Sequence, residues 1–252
     1  MKNILIIGKS SFIAKNFIDD YKHKFKFFYF KRYFKKNDID FVKVLNNFIK
    51  RNRIDIIFNF AADNNNSFET NNFEKILVSN YYLPLSIMSV ANRLKTPLFL
   101  FLSKDMTHNE KIKNFYSLSK EMLKVYIENS SFNNKLRILN IDSLFGPHDL
   151  SSKRIFPSIF RKLYNKSKIN ININQLKSFT YVKDLNKILF NLTNSKKKII
   201  YRNVRSDVFN IKLIYDLLKK DYVKKYKNKN TKYRAIFLTS EWYKNYYGKD
   251  KS

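Results

Sequence analysis

Short apolar runs alternate with helical patterns from the first residues of this chain, and that alternation restricts the folds open to it. Asn3–Ile7, Phe25–Phe30, Asp55–Phe60, Pro97–Leu102 and Leu136–Ile141 are brief and almost continuously apolar. Runs of that kind fit strands buried on both faces. Between them lie stretches with apolar residues at helical spacing: Ile13, Phe17 and Ile18 after the first run, then Val42, Leu45 and Phe48-Ile49 within Phe41–Arg51. A long helix is predicted from Phe73 to about Asn92, and another from Asn114 to Asn129. Strand and helix in strict alternation, joined by short links, make a parallel sheet covered by helices on both sides. Ligands in such sheets bind at the carboxyl ends of the strands. Gly8, Ala61, Ala62, Ser103 and the start of the Asn114 helix all fall at that edge.

Composition removes several function classes. With 252 residues, 44% of them hydrophobic, the chain fits one large domain, or one domain with a small appendage. No cysteine is present, which excludes disulfides, thiolate metal sites and a cysteine nucleophile. His23, His108 and His148 are too far apart for metal-ligand spacing, so no metal is expected. The apolar run before Gly8 is too short for a signal peptide and no run reaches membrane-spanning length, so a cytoplasmic protein without a membrane partner is expected. The net charge of +30 accompanies inflated Lys, Asn, Ile, Phe and Tyr and only three Gly, the pattern of an AT-rich coding sequence. Its lysines are spread over every segment, and no nucleic-acid module or basic stripe with stacking aromatics is evident; no nucleic-acid partner is expected. Such a charge would still steer an anionic ligand, such as a nucleotide, into a cleft.

Two stretches carry chemistry. Gly8-Lys9-Ser10-Ser11 between the first strand and first helix is a phosphate-binding arrangement, with helix amides and dipole facing an anion. It is not a P-loop, because the glycine needed five residues earlier would fall at Asn3. Tyr116 and Lys120 lie four apart, one above the other on a helix face. A phenol is a poor acid or base at neutral pH until a nearby cation favours its phenolate, and a lysine one turn on supplies that cation. Spacing alone leaves a second reading, two solvated residues on an amphipathic helix.

The ordered matches resemble the extended short-chain dehydrogenase/reductase family, the NAD-dependent epimerases and dehydratases of nucleotide sugars. Ile4 to Ala14 is similar to its first strand and glycine turn, and Asp55 to Ala62 to a strand ending in a double alanine. Asn80 falls where a helix asparagine is usual, and Tyr116-Ser117-Leu118-Ser119-Lys120 is similar to the Tyr-x-x-Ser-Lys signature. Leu136-Arg137 to Gly146-Pro147 resembles the strand and turn entering a substrate lobe, and Phe179 to Asp184 resembles the Phe-x-x-Val-x-Asp element.

The resemblance implies a Rossmann-type doubly wound parallel sheet with a small C-terminal substrate lobe. Residues 1–150 would form the NAD(P)-binding domain with 177–204 returning to it, and 151–176 with 205–252 the lobe. Tyr116 would donate and accept the proton, Lys120 would lower its pKa and hold the nicotinamide ribose, and Ser103 would hold the substrate hydroxyl. Gly8, Ser10, Ser11, Phe12 and Ile13 would carry the pyrophosphate, with Asp38 and Ile39 beside the adenine. Phe60, Ala61, Ala62 and Asn80 would complete the cofactor site. Lys31 and Arg32, at the end of the second strand, lean towards a 2′-phosphate and so towards NADP rather than NAD. The partner implied is a nucleotide-sugar substrate, and family members pair into homodimers through the 73–92 and 114–129 helices.

This chain departs from the family pattern in three ways. Ser11 and Ala14 replace two of the three glycines, which the turn accommodates provided that Ser11 needs no positive φ. Lys104 takes the hydroxyl position in the Ser103-Lys104-Asp105 register of the 4-dehydrorhamnose reductase branch, leaving Ser103 to serve if the register slips by one. The interval between Ser103 and Tyr116 is short. Two readings therefore stand: an epimerase, dehydratase or 4-keto reductase, and a non-catalytic nucleotide-binding or scaffold relative.

Overall fold

The computed structural model describes residues 1–30, 39–64, 70–103, 114–132, 134–152, 154–167, 174–219 and 231–248. The chain divides into two compact units, residues 1–141 with 188–204 and residues 142–187 with 205–252.

The first unit is a six-stranded parallel sheet. Its strands are β1 (Lys2–Ile7), β2 (Phe25–Tyr29), β3 (Ile56–Asn59), β4 (Leu98–Ser103), β5 (Leu136–Ile141) and β8 (Ile199–Asn203), in spatial order β2-β1-β3-β4-β5-β8. The order reverses between β1 and β3, which makes their carboxyl ends the topological switch point of a Rossmann-type sheet. Its helices are α1 (Phe12–Tyr21), α2 (Ile39–Arg51), α3 (Thr70–Leu77), α4 (Leu83–Leu94) and α5 (Phe115–Asn129).

Alternation along the strands sends one set of residues to each face. Leu5, Ile7, Ile57, Leu98, Leu100, Leu136 and Ile138 pack with Phe41, Leu45 and Ile49 of α2, Ile87 and Met88 of α4, and Leu123 of α5. The opposite face is aromatic. Phe17 of α1 lies 4.9 Å from Phe58, which stacks on Phe99 at 4.1 Å, and Tyr21 stacks on Phe190 at 4.6 Å. Each such buried phenyl contributes about 2–3 kcal/mol by area.

The long helix expected over 73–92 is interrupted. A π turn over Val78–Tyr82 separates α3 from α4, with the Leu83 amide donating to the Val78 carbonyl. Pro84 explains the break: it has no N–H to give the Asn80 carbonyl four residues back, and its ring would collide with that carbonyl in a regular helix.

The second unit has a three-stranded sheet of β6 (Ser143–Phe145), β7 (Leu176–Tyr181) and β9 (Asp207–Asn210), in order β6-β7-β9. Phe145, Phe179 and Phe209 pack with residues of α6 (Ile155–Tyr164), α8 (Ile211–Lys219) and α9 (Thr231–Gly248). The resemblance assigns 142–150 and the whole of 177–204 to the nucleotide-binding part. The strand pairing divides that stretch, because β7 pairs with β6 and β9 in the small sheet. Only the end of α7 (Val182–Leu192) and β8 belong to the larger unit.

A chain with three glycines must end most of its helices on other residues. Arg53 after α2, Lys95 after α4 and Lys166 after α6 take left-handed conformations, with φ of 47°, 53° and 52°. Each costs about 1 kcal/mol or more relative to glycine. No helix among the described residues is long and apolar enough to cross a membrane.

Candidate active site

The turn after β1 is built on a backbone collision that only glycine avoids. Gly8 has φ of +82°, and a Cβ there would lie 2.4 Å from the Ala61 amide nitrogen and 2.7 Å from the Phe60 carbonyl carbon. The β1 and β3 ends are thus pressed together at the switch point, with the Phe60 amide donating to the Ile7 carbonyl at 2.8 Å. The other two glycine positions need no glycine. Ser11 has φ of −64° and caps α1, its Oγ accepting from the Ala14 amide. Ala14 is fully buried between helix and sheet, where a methyl fits. Ser10 is exposed and Ile13 half-buried at the N-terminus of α1, whose first amides and dipole suit an anion.

Phe60 has a different place from the one expected. Its side chain is 5% exposed, stacked 5.1 Å from Phe101 and 5.5 Å from Phe58, so only its backbone reaches the ligand edge. Ala61 and Ala62 follow it at that edge, half-buried and exposed. Lys31, Arg32 and Asp38 lie outside the described residues, as do Lys104 and Asp105, and Ile39 opens α2.

Asn80 is fully buried in the π turn, and its amide is engaged with the protein. Its Oδ1 accepts from the Asp63 amide at 2.9 Å and its Nδ2 donates to the Asp63 carbonyl at 2.8 Å, a two-point grip on the loop after β3. The same Nδ2 donates to Ser119 Oγ at 3.1 Å, and Ser119 donates to the Tyr116 carbonyl at 2.8 Å. Sequence reasoning missed Asp63 and Ser119 as members of this network. The available signals were Pro84, four residues after Asn80, and Ser119 beside Lys120.

Helix α5 begins where Asn114 caps it, the side chain accepting from the Ser117 amide at 2.8 Å. One turn on, Tyr116 is half-buried and Lys120 only 5% exposed. The Lys120 Nζ lies 5.8 Å from the centre of the Tyr116 ring and donates to the Phe101 carbonyl at 3.3 Å. Burial lowers the Lys120 pKa to about 8. Phe101 is two residues before Ser103, the half-buried last residue of β4. The structure therefore brings Tyr116 and Lys120 together and ties Lys120 to the strand that ends in Ser103.

A parallel sheet with a switch-point glycine turn, followed by a helix carrying a Tyr–Lys pair after β4, defines a Rossmann-type α/β protein. The chain matches the model of the NAD dependent epimerase/dehydratase family over residues 4–211, and it belongs to that family. No curated protein is significantly similar to it in sequence. Among solved structures it is similar to dTDP-glucose 4,6-dehydratase from Bacillus anthracis in complex with NAD, at 15% identity and TM-score 0.76 over 97% of both chains. It is also similar to UDP-glucose 4-epimerase from Thermotoga maritima with UDP-glucose, at 12% identity and TM-score 0.78, covering 97% of this chain and 99% of that one. A third is dTDP-4-dehydrorhamnose reductase from Bacillus anthracis in complex with NADP, at 17% identity and TM-score 0.73, covering 89% and 82%.

Proposed function

We propose that this protein is an NAD(P)-dependent epimerase or 4-keto reductase of a nucleotide-activated sugar, with Tyr116 as its acid/base. The observation that carries this reading is the buried Lys120 ammonium beside the Tyr116 ring, held by the Phe101 carbonyl. In support, the three solved relatives above are a nucleotide-sugar dehydratase, epimerase and reductase, two of them in complex with NAD or NADP.

The residues present fit a dinucleotide. Gly8 lets the β1 turn close on Ala61, and Ser11 holds α1 with its first amides directed to the ligand edge. The Gly8–Ile13 turn would hold the pyrophosphate, Ala61 and Ala62 would let the dinucleotide approach the backbone, and Lys120 would hold the nicotinamide ribose. A bound nicotinamide supplies hydride acceptance and donation. Tyr116 exchanges the proton of the sugar hydroxyl or carbonyl at its phenolic oxygen, and the Lys120 cation favours the phenolate that this requires. Ser103, at the end of the strand that anchors Lys120, is the candidate to orient that same sugar oxygen. Asn80 and Ser119 position the helix carrying Tyr116 without meeting substrate. The Lys31-Arg32 pair favours NADP over NAD.

The rival reading is a nucleotide-binding relative without efficient chemistry, and the observation favouring it is Lys104 in the hydroxyl register. Thermal-shift titration with NADP(H) and NAD(H) separates them in part. The enzyme reading expects saturable stabilisation, larger with NADP(H); no shift at millimolar cofactor would contradict both the cofactor assignment and the enzyme.

A further inference from the structure

Lysines that are scattered along the sequence are gathered by the fold. All six strands of the first unit are parallel, so every helix-to-strand connection emerges at the amino end of the sheet, opposite the candidate active site. Hydrogen bonds join these connections directly. Lys2 Nζ donates to the Thr193 carbonyl at 2.9 Å and Asn3 Nδ2 to the Asn52 carbonyl at 3.0 Å. The Leu98 amide donates to the Lys135 carbonyl and the Leu136 amide to the Lys198 carbonyl, each at 2.9 Å. Across the five connections 22–24, 52–55, 95–97, 130–135 and 193–198, eight of 22 residues are Lys or Arg and one is acidic, against 50 basic residues in the whole 252-residue chain. Every one of those eight basic side chains is exposed.

Helix C-termini attract cations, so part of this charge has a local explanation. Each terminus offers only about half a negative charge, whereas the 22–24 and 193–198 connections bring two and three cations. Asp55 is the acid on the connections among the described residues, and its carboxylate accepts from the Asn3 amide. Codon bias does not account for the excess either. Arg53 and Lys95 hold left-handed conformations that Asn, abundant in this chain, tolerates better.

We infer, against the expectation of no membrane partner that the lack of a spanning segment suggested, that this amino edge of the sheet is an electrostatic docking face for an anionic lipid surface. Six strands about 4.8 Å apart spread the charges over a width of roughly 24 Å, an array suited to many headgroups at once. Among the described residues, it offers no base-stacking platform for nucleic acid: its aromatic residues are turned inward, with Tyr21 stacked on Phe190 and Phe132 9% exposed. Docking here would leave the opposite, ligand-binding edge of the sheet free. The inference does not depend on the catalytic reading.

The test is co-sedimentation of the full chain with phosphatidylcholine vesicles, with and without phosphatidylserine, at low and high salt. The wild-type protein is expected to bind only the phosphatidylserine vesicles and to be released by salt. Each basic residue near such a surface strengthens binding about five-fold, so the triple variant Lys196→Gln, Lys197→Gln, Lys198→Gln should bind on the order of a hundred-fold more weakly. A control triple, Lys15→Gln, Lys43→Gln and Lys75→Gln, removes the same net charge from exposed helix positions of the same unit away from this edge and should lose far less. Unchanged far-ultraviolet circular dichroism verifies that both variants fold. Equal losses in the two triples would overturn the assigned face, as would failure of the wild type to bind phosphatidylserine vesicles. Tighter binding to duplex DNA, weakened by the 196–198 triple alone, would reassign the face to nucleic acid.

Discussion

The Lys120 ammonium donates to the Phe101 carbonyl oxygen at 3.3 Å, which fixes a buried cation against the strand that ends at the candidate site. A buried lysine is costly to fold when no carboxylate among the described residues pairs with it, and its lowered pKa of about 8 reflects that burial. Folding takes Lys120 from the usual 10.5 down to about 8, so the unfolded chain binds more protons between those values. The contribution of Lys120 to stability is therefore most unfavourable below pH 8 and is relieved as pH rises towards 10.5. Lys120→Met should melt roughly 2–6 °C above wild type at neutral pH while losing turnover. That gap should shrink on raising the pH through the same window. A pH-independent gap would show that the buried charge is not its source.

Gly8→Ala meets both a left-handed φ and a 2.4 Å contact with the Ala61 nitrogen. Cofactor affinity should fall at least about ten-fold, with a melting temperature several degrees lower. Ser11→Ala removes only the cap of α1 and should cost about 1 kcal/mol with cofactor affinity changed much less. Isothermal titration and thermal melts on the two variants check the contrast.

The Asn80–Ser119 hydrogen bond of 3.1 Å couples the loop after β3 to the helix of Tyr116. Asn80→Ala should cost about 2–4 kcal/mol, because it also strands the Asp63 backbone. Ser119→Ala should cost about 1–2 kcal/mol, and the double variant should fall short of the sum by about 0.5–1.5 kcal/mol. Denaturant melts of the four proteins measure that coupling; strict additivity would remove Ser119 from the network.

Lys95 closes α4 at φ of 53°, a conformation glycine adopts freely. Lys95→Gly should raise stability by about 1 kcal/mol, or roughly 2–4 °C in melting temperature, measured by calorimetry.

Much of the frame was legible in the residues, for physical reasons that also mark where legibility ended. Strands such as Ile4–Ile7 and Leu98–Leu102 are buried on both faces, so their continuous apolar character is visible without any partner. The Tyr116–Lys120 adjacency is likewise local, set by helix geometry. The π turn at Val78–Tyr82 leaves the apolar rhythm of its helix almost intact, and only Pro84 betrays it. Ser119 acquires its role from an asparagine 39 residues away, a relation that no local pattern carries. Phe60 stands at the expected strand end, yet its side chain belongs to the aromatic stack rather than the site, because alternation along β3 and its neighbours decides the face. The amino-edge lysines are spread along the sequence and become one surface only through parallel topology.

The measurement that tests the central claim most directly is hydride transfer from labelled NADPH to a nucleotide-linked 4-keto sugar, by wild type and by Tyr116→Phe. The proposed function predicts turnover by wild type, a loss of at least about a hundred-fold in kcat for the variant, and nearly unchanged cofactor affinity. Turnover by Tyr116→Phe equal to that of wild type would contradict it.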